Sequence, residues 1–175
     1  AANASSAMAP QYLAIAQCRA GDVEGFRKSI EAALRLNPNN AEILADAAQM
    51  LIMLDGSGQG PQSIERAREL AERAISLNPG HPPWYYQPLA IYHVLKGNRT
   101  QALETARAAA PDGAPMGAYL LAAALRLNGQ QDEADAVLAD FERRTGDAVT
   151  SPARRDQIKA STRLPKKVAD LIFRD

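Results

Sequence analysis

Few side chains in this chain are equipped for chemistry, and their spacing argues mainly for what they do not do. His81 stands in the turn sequence NPGHPP and His93 one helix further on. Neither has cysteine, aspartate or glutamate at the short intervals by which zinc ligands recur, so no metal is expected. Cys18 is the single cysteine, which excludes an internal disulfide. The run GSGQG at 56–60 invites a phosphate-cradling reading. A phosphate loop joins a strand to a helix and carries a lysine, whereas this run follows a predicted helix and has none. No nucleophile elbow or other catalytic motif occurs. The chain is expected to be neither an enzyme nor the holder of a cofactor.

What remains able to act is a group of aromatic, amide and basic side chains. The segment Asn78 to Tyr92, NPGHPPWYYQPLAIY, gathers the only tryptophan, three of the five tyrosines and four prolines. Trp and Tyr supply much contact area at low entropic cost, so Trp84 and Tyr85 could form a recognition surface. They could equally fill the gap left by an unusual turn, and both readings stand at this point. Tyr92 reads as core. Pro83 can open a helix, and Pro88, about a turn and a half inside it, predicts a kink.

Composition narrows the class. With 175 residues, 46% hydrophobic and 23% charged, the chain is an ordinary folded protein or a short array. Twenty basic residues balance twenty acidic ones, where a nucleic-acid binder would usually carry a basic excess. No apolar run approaches the roughly 20 residues of a membrane span, so no membrane insertion of this fragment is expected. Residues 1–7, AANASSA, lack the basic and apolar regions of a signal peptide and read as a disordered tail.

These side chains must be positioned by helices. In Gly21 to Pro38, GDVEGFRKSIEAALRLNP, the residues Val23, Phe26, Ile30, Ala33, Leu34 and Leu36 return at three- and four-residue steps and form one apolar stripe. Gly21-Asp22 supplies a turn and an N-cap, and Asn37-Pro38 a stop. The ending returns as Ala-Ile-Ser-Leu-Asn-Pro at 74–79. Pro38 and Pro79 are 41 positions apart, of which the seven-residue insertion Asp55 to Pro61 leaves 34, a helical-repeat period.

The pattern resembles the tetratricopeptide repeat (TPR) family. Leu13, Ala14, Gly21, Ala33 and Pro38 occupy the family's positions in a first copy, and Ala48, Ala67, Ala74 and Pro79 in a second. Leu89, Ala90, Gly97, Ala102 and Ala109 do so in a third, and Leu121, Ala122, Gly129 and Ala134 in a fourth. Phe26 and Phe141 depart from small sites, Asp46 stands at a leucine site, and His93 occupies a common tyrosine site, which points to packing. The resemblance implies an all-α, right-handed TPR-type solenoid. It has four helix pairs at 8–38, 41–79, 83–110 and 115–145, within 8–146, and C-terminal capping helices over 147–175 that cover the last pair.

Transferring the family's groove position by position places Gln11, Tyr12, Ile15 and Arg19, then Ala45, Gln49 and Ile52, then Trp84, Gln87 and Ile91, then Tyr119, Ala123 and Arg126 on a concave wall. Such a wall implies a protein or extended-peptide partner. The family's carboxylate clamp of Lys and Asn is replaced by Gln11-Tyr12 and Ala45-Asp46, so a chaperone-tail adaptor is disfavoured. The runs LNPGHPPWYYQPLA and LKGNRTQAL are also similar to repeat regions that follow DNA-binding or cyclase domains in bacterial regulators. That resemblance implies a regulatory or sensory part of a larger cytoplasmic signalling protein, or a periplasmic one if a preceding part carries a signal or membrane helix. The alternative is a small-ligand sensor with a pocket near Trp84. The basic tail Arg154, Arg155, Lys159, Arg163, Lys166 and Lys167 raises the further reading of an acidic partner.

Overall fold

The computed structural model describes residues 4–55, 61–111 and 114–173 of the chain. Helices follow one another in pairs: α1 (Ala4–Ala20) and α2 (Val23–Leu36), α3 (Ala41–Asp55) and α4 (Pro61–Leu77), α5 (Gln87–Lys96) and α6 (Arg99–Ala109), α7 (Pro115–Leu127) and α8 (Gln131–Thr145). Two more follow, α9 (Pro152–Thr162) and α10 (Lys166–Ile172). Among the described residues there is no strand.

Local chemistry sets the boundaries. The Asp22 carboxylate accepts from the Gly25 amide at 2.9 Å and opens α2, and the Asn40 side-chain oxygen accepts from the Glu42 and Ile43 amides at 3.0 and 3.1 Å and opens α3. Each such cap contributes about 1 kcal/mol. Phe26, Ile30, Ala33 and Leu34 are buried along one face of α2, as their spacing predicts, while Leu36 at the helix end is 43% exposed. The three expected inter-helix turns have Gly21, Gly97 and Gly129 in the left-handed region, at φ of +82°, +77° and +81°. A side chain would cost about 1–2 kcal/mol there.

Pairs pack through small residues. Ala14, Ala33, Ala48, Ala67, Ala74, Ala90, Ala102, Ala122 and Ala134 are fully buried. Gly117 packs directly on neighbouring backbone: a Cβ on it would lie 2.6 Å from the Ala109 carbonyl oxygen. Each odd-numbered helix from α1 to α7 touches the next odd-numbered one, and α2, α4 and α6 each touch the odd helix that follows. The pairs therefore stack in chain order, with α1, α3, α5 and α7 side by side.

Three expectations change. The helix of the first pair begins at Ala4, inside the expected tail, because alanine is the strongest helix former; residues 1–3 lie outside the described residues. Pro88 does not kink a helix. Residues Pro83–Tyr86 form a separate 3-10 turn, and α5 starts at Gln87 with Pro88 in its first turn, where the missing N–H costs nothing. The insertion shrinks, since Asp55 ends α3 and Pro61 begins α4, and its centre, 56–60, lies outside the described residues. Whereas α9 makes sparse contacts with the other helices, α10 lies across α7 and reaches α5.

Candidate functional site

The odd-numbered helices carry the residues that the repeat resemblance assigns to a wall, and the structure divides them into two groups. On α1, Tyr12 is 60% exposed, Arg19 is exposed and Ile15 half-buried. Gln11 is buried, and its Nε2 donates to the Asp46 carboxylate on α3 at 2.8 Å. Gln49 on α3 is half-buried. Its Nε2 lies against the Met53 sulfur at 3.2 Å, and its Oε1 is buried without a partner among the described residues.

Asp46 was marked by the sequence as standing at an apolar site, and its environment shows the cost. Burial pushes its carboxyl above the usual 3.8, the hydrogen bond from Gln11 pulls it back, and Glu42 pushes it up again.

The aromatic segment is a packed cluster at the start of α5. Tyr85 is buried, stacks on His81 with ring centroids 5.2 Å apart and meets the edge of Trp84 at 4.5 Å. Burial is the first cause that raises its phenol, the Asn78 hydrogen bond pulls it back, and Glu42 and Asp46 add to the rise. Trp84 is half-buried beside it. Tyr92 is core, as expected: its hydroxyl donates to Glu65 at 3.0 Å, and Lys96 pairs with the same carboxylate at 2.8 Å. That Lys96 contact is the chief reason the Glu65 carboxyl falls below its usual value. His93 packs edge-on against Tyr92, and burial lowers its imidazole.

The second group is not open. Gln87, Ile91, Tyr119 and Arg126 are all buried. Phe173, just past α10, packs edge-to-face on Tyr119 at 5.9 Å, and Tyr119 in turn meets Phe141 of α8 at 5.8 Å. The Arg126 guanidinium donates from one nitrogen to the carbonyls of Leu171 and Ile172 at 2.9 and 2.6 Å. Its other terminal nitrogen pairs with Asp135, and its Nε is buried without a partner among the described residues. As a wall for a foreign peptide this half needs correction: the end of α10 and Phe173 cover Tyr119 and Arg126, and Gln87 and Ile91 are buried within the stack.

The basic tail is largely engaged inside the molecule. Arg154 grips Asp147 through two bonds of 2.6 and 2.7 Å, Lys159 lies over the Phe173 ring, and Lys166 pairs with Asp170 at 2.6 Å. Lys167 donates to the Leu95 carbonyl at 2.8 Å. Arg163 donates to the carbonyls of Cys18 and Arg19, at the far end of α1. Sequence reasoning missed Arg163 and Lys167 as internal contacts, because a carbonyl partner leaves no trace in a residue pattern, and it missed Asp135, whose partner Arg126 stands on another helix.

A cavity of about 380 Å³ lies between the end of α7 and α10, lined by Leu127, Lys166, Lys167, Asp170 and Leu171. Among the described residues, no cluster of three or more His, Cys, Asp or Glu side chains could hold a metal, and no helix is long and apolar enough to cross a membrane. The site offers aromatic, amide and guanidinium contacts along helices, which suits recognition of a polypeptide surface. Comparison with protein-family models, with curated proteins and with solved structures gave no match.

Proposed function

We propose that the protein is a non-catalytic interaction scaffold of the tetratricopeptide type, whose odd-numbered helices form the inner wall of a right-handed superhelix and hold a segment of a partner protein. Three features support the repeat reading: pairs stacked in chain order, glycines in the left-handed region at three of the turns, and fully buried alanines at the close approaches. The observation that carries the binding reading is α10. Part of the odd-helix face already holds a polypeptide segment, so its chemistry suits one. The open part, around Tyr12, Ile15 and Gln49, is the candidate partner site. Balanced charge argues against nucleic acid. The resemblance of residues 77–90 and 95–103 to bacterial regulators favours a cytoplasmic signalling role.

The test is a random-peptide display selection on the native chain and on a Tyr12→Ala/Gln49→Ala variant. Peptides enriched on the native chain should be lost on the variant, whose thermal midpoint should stay within a few degrees because Tyr12 is 60% exposed. No enrichment, or enrichment indifferent to both changes, refutes the reading.

A further inference from the structure

The C-terminal helix shows what the second half of the face accepts. Val168, Ala169 and Ile172 of α10, with Phe173 just beyond it, are buried against the stack, while Lys166, Lys167 and Asp170 stay exposed. The helix is amphipathic and only seven residues long, too short to persist without a surface. Its far end is read by the buried Arg126 guanidinium, which takes the last carbonyls of the helix. Its near end is held by Lys167 on the Leu95 carbonyl, at the end of α5.

The tether to this helix holds at few points. The connecting α9 approaches the other helices sparsely, with Ile158 as its buried anchor. Between the two helices, Arg163 is the one non-glycine residue among the described residues with positive φ, at +49°. A bulky residue in that region stores strain, and Arg163 is held there by its bonds to the Cys18 and Arg19 carbonyls of α1. A ligand that disturbed the end of α1 would remove those bonds and leave only the strain.

We propose that the α5/α7 face is a socket for a short amphipathic helix of a partner protein, and that α10 is its built-in competitor. The partner helix carries apolar residues at the spacing of Val168, Ala169, Ile172 and Phe173, a basic N-terminal turn, and an end whose free carbonyls meet Arg126. This rests on the interaction-scaffold reading and supplies the partner class for its covered half. Binding here is then limited by the opened fraction of the chain, and a chain open one-tenth of the time or less binds at least about tenfold more weakly than its intrinsic affinity.

The experiment uses the full chain with α10 unseated by Val168→Asp/Ile172→Asp, and a fluorescein-labelled synthetic peptide of residues 163–173 as probe. Fluorescence anisotropy should show the variant binding the peptide at least about tenfold more tightly than the native chain does, and Arg126→Met in the variant should weaken that binding. Equal binding by native and variant chains, or no binding by a variant that keeps its helical circular dichroism, overturns the proposal. A native chain that dimerises, with the peptide dissolving the dimer, overturns it as well, because a second copy is then the occupant.

Should the variant lose its helical signal, hydrogen exchange on the native chain decides. Amides of 167–172 must exchange through an opening that leaves α5 and α7 protected, and exchange only by global unfolding overturns the socket. The peptide is the chain's own, so failure here leaves the Tyr12 site untouched, and failure of the display selection leaves this result standing.

Discussion

Replacing Arg126 by methionine isolates what the buried guanidinium contributes. One of its nitrogens serves the carbonyls of both Leu171 and Ile172, so the two contacts count as about one charge-assisted bond, worth about 1.5–3 kcal/mol net. The Asp135 pair adds little, about 0–1 kcal/mol, because that carboxylate is 55% exposed. Against this stands the unpartnered buried Nε, a defect of about 1–3 kcal/mol that methionine removes while keeping much of the apolar reach. The balance is a loss of about 1 kcal/mol, or about 2–4 °C in Tm for a chain of this size.

The location of that loss is more informative than its size. Amides of α10 should exchange about fivefold faster, while those of α2 and α3 keep their native rates. Arg126 is also the chief cause holding the Asp135 carboxyl below its usual 3.8. A lowered carboxyl stabilises the fold above that value and loses its contribution as pH falls through the folded value, so the gap between native and variant should narrow in acid. The assay is urea unfolding with site-resolved hydrogen exchange at neutral and acid pH. A variant as stable as the native chain, with α10 exchange unchanged, would refute the argument that Arg126 seats this helix.

Two further perturbations follow from the packing. Gly117→Ala puts a methyl 2.6 Å from the Ala109 carbonyl oxygen and 2.9 Å from the Ala110 Cα, both backbone atoms that cannot swing aside. The α6/α7 contact should loosen at a cost of about 1–3 kcal/mol, read from the denaturant midpoint, and a change under about 0.5 kcal/mol would show that the contact is slack. Asp46→Asn removes a carboxyl whose folded value lies above its usual 3.8, chiefly through burial. Such a group penalises folding once pH exceeds its folded value and gives no penalty below the unfolded one. The asparagine variant keeps an acceptor for Gln11 and should melt higher than the native chain at pH 7, the difference vanishing below 3.8. A lower Tm at neutral pH would mean that the carboxylate charge itself is favourable.

Much of the architecture was legible because each helix states its own burial and its own ends. Phe26, Ile30 and Ala33 recur at helical spacing and are buried together. The Asp22 and Asn40 caps lie where their side chains predict. The fourth pair, expected over 115–145, spans Pro115–Leu127 and Gln131–Thr145. Pro88 misled because one pattern covered two elements: a proline a turn and a half into a continuous helix kinks it, but Tyr86 already ends a 3-10 turn, so the same proline sits harmlessly in a first turn.

The covered half of the candidate site was illegible for a different reason. Tyr119 and Arg126 are met by Phe173 and the end of α10, and whether a face is open belongs to the pair of surfaces that meet there. The stripe on α10 requires a cover, and both the end of the stack and the odd-helix face could provide one. What separates the two is that Arg126 finds the last carbonyls of α10, and Lys167 the last turn of α5, only when α10 lies across the odd helices. These contacts depend on relative position in space, and the spacing of residues along one helix carries no such information. Where a residue pattern predicts both a groove and an amphipathic segment beyond the last repeat, the first occupant to consider for the groove is that segment.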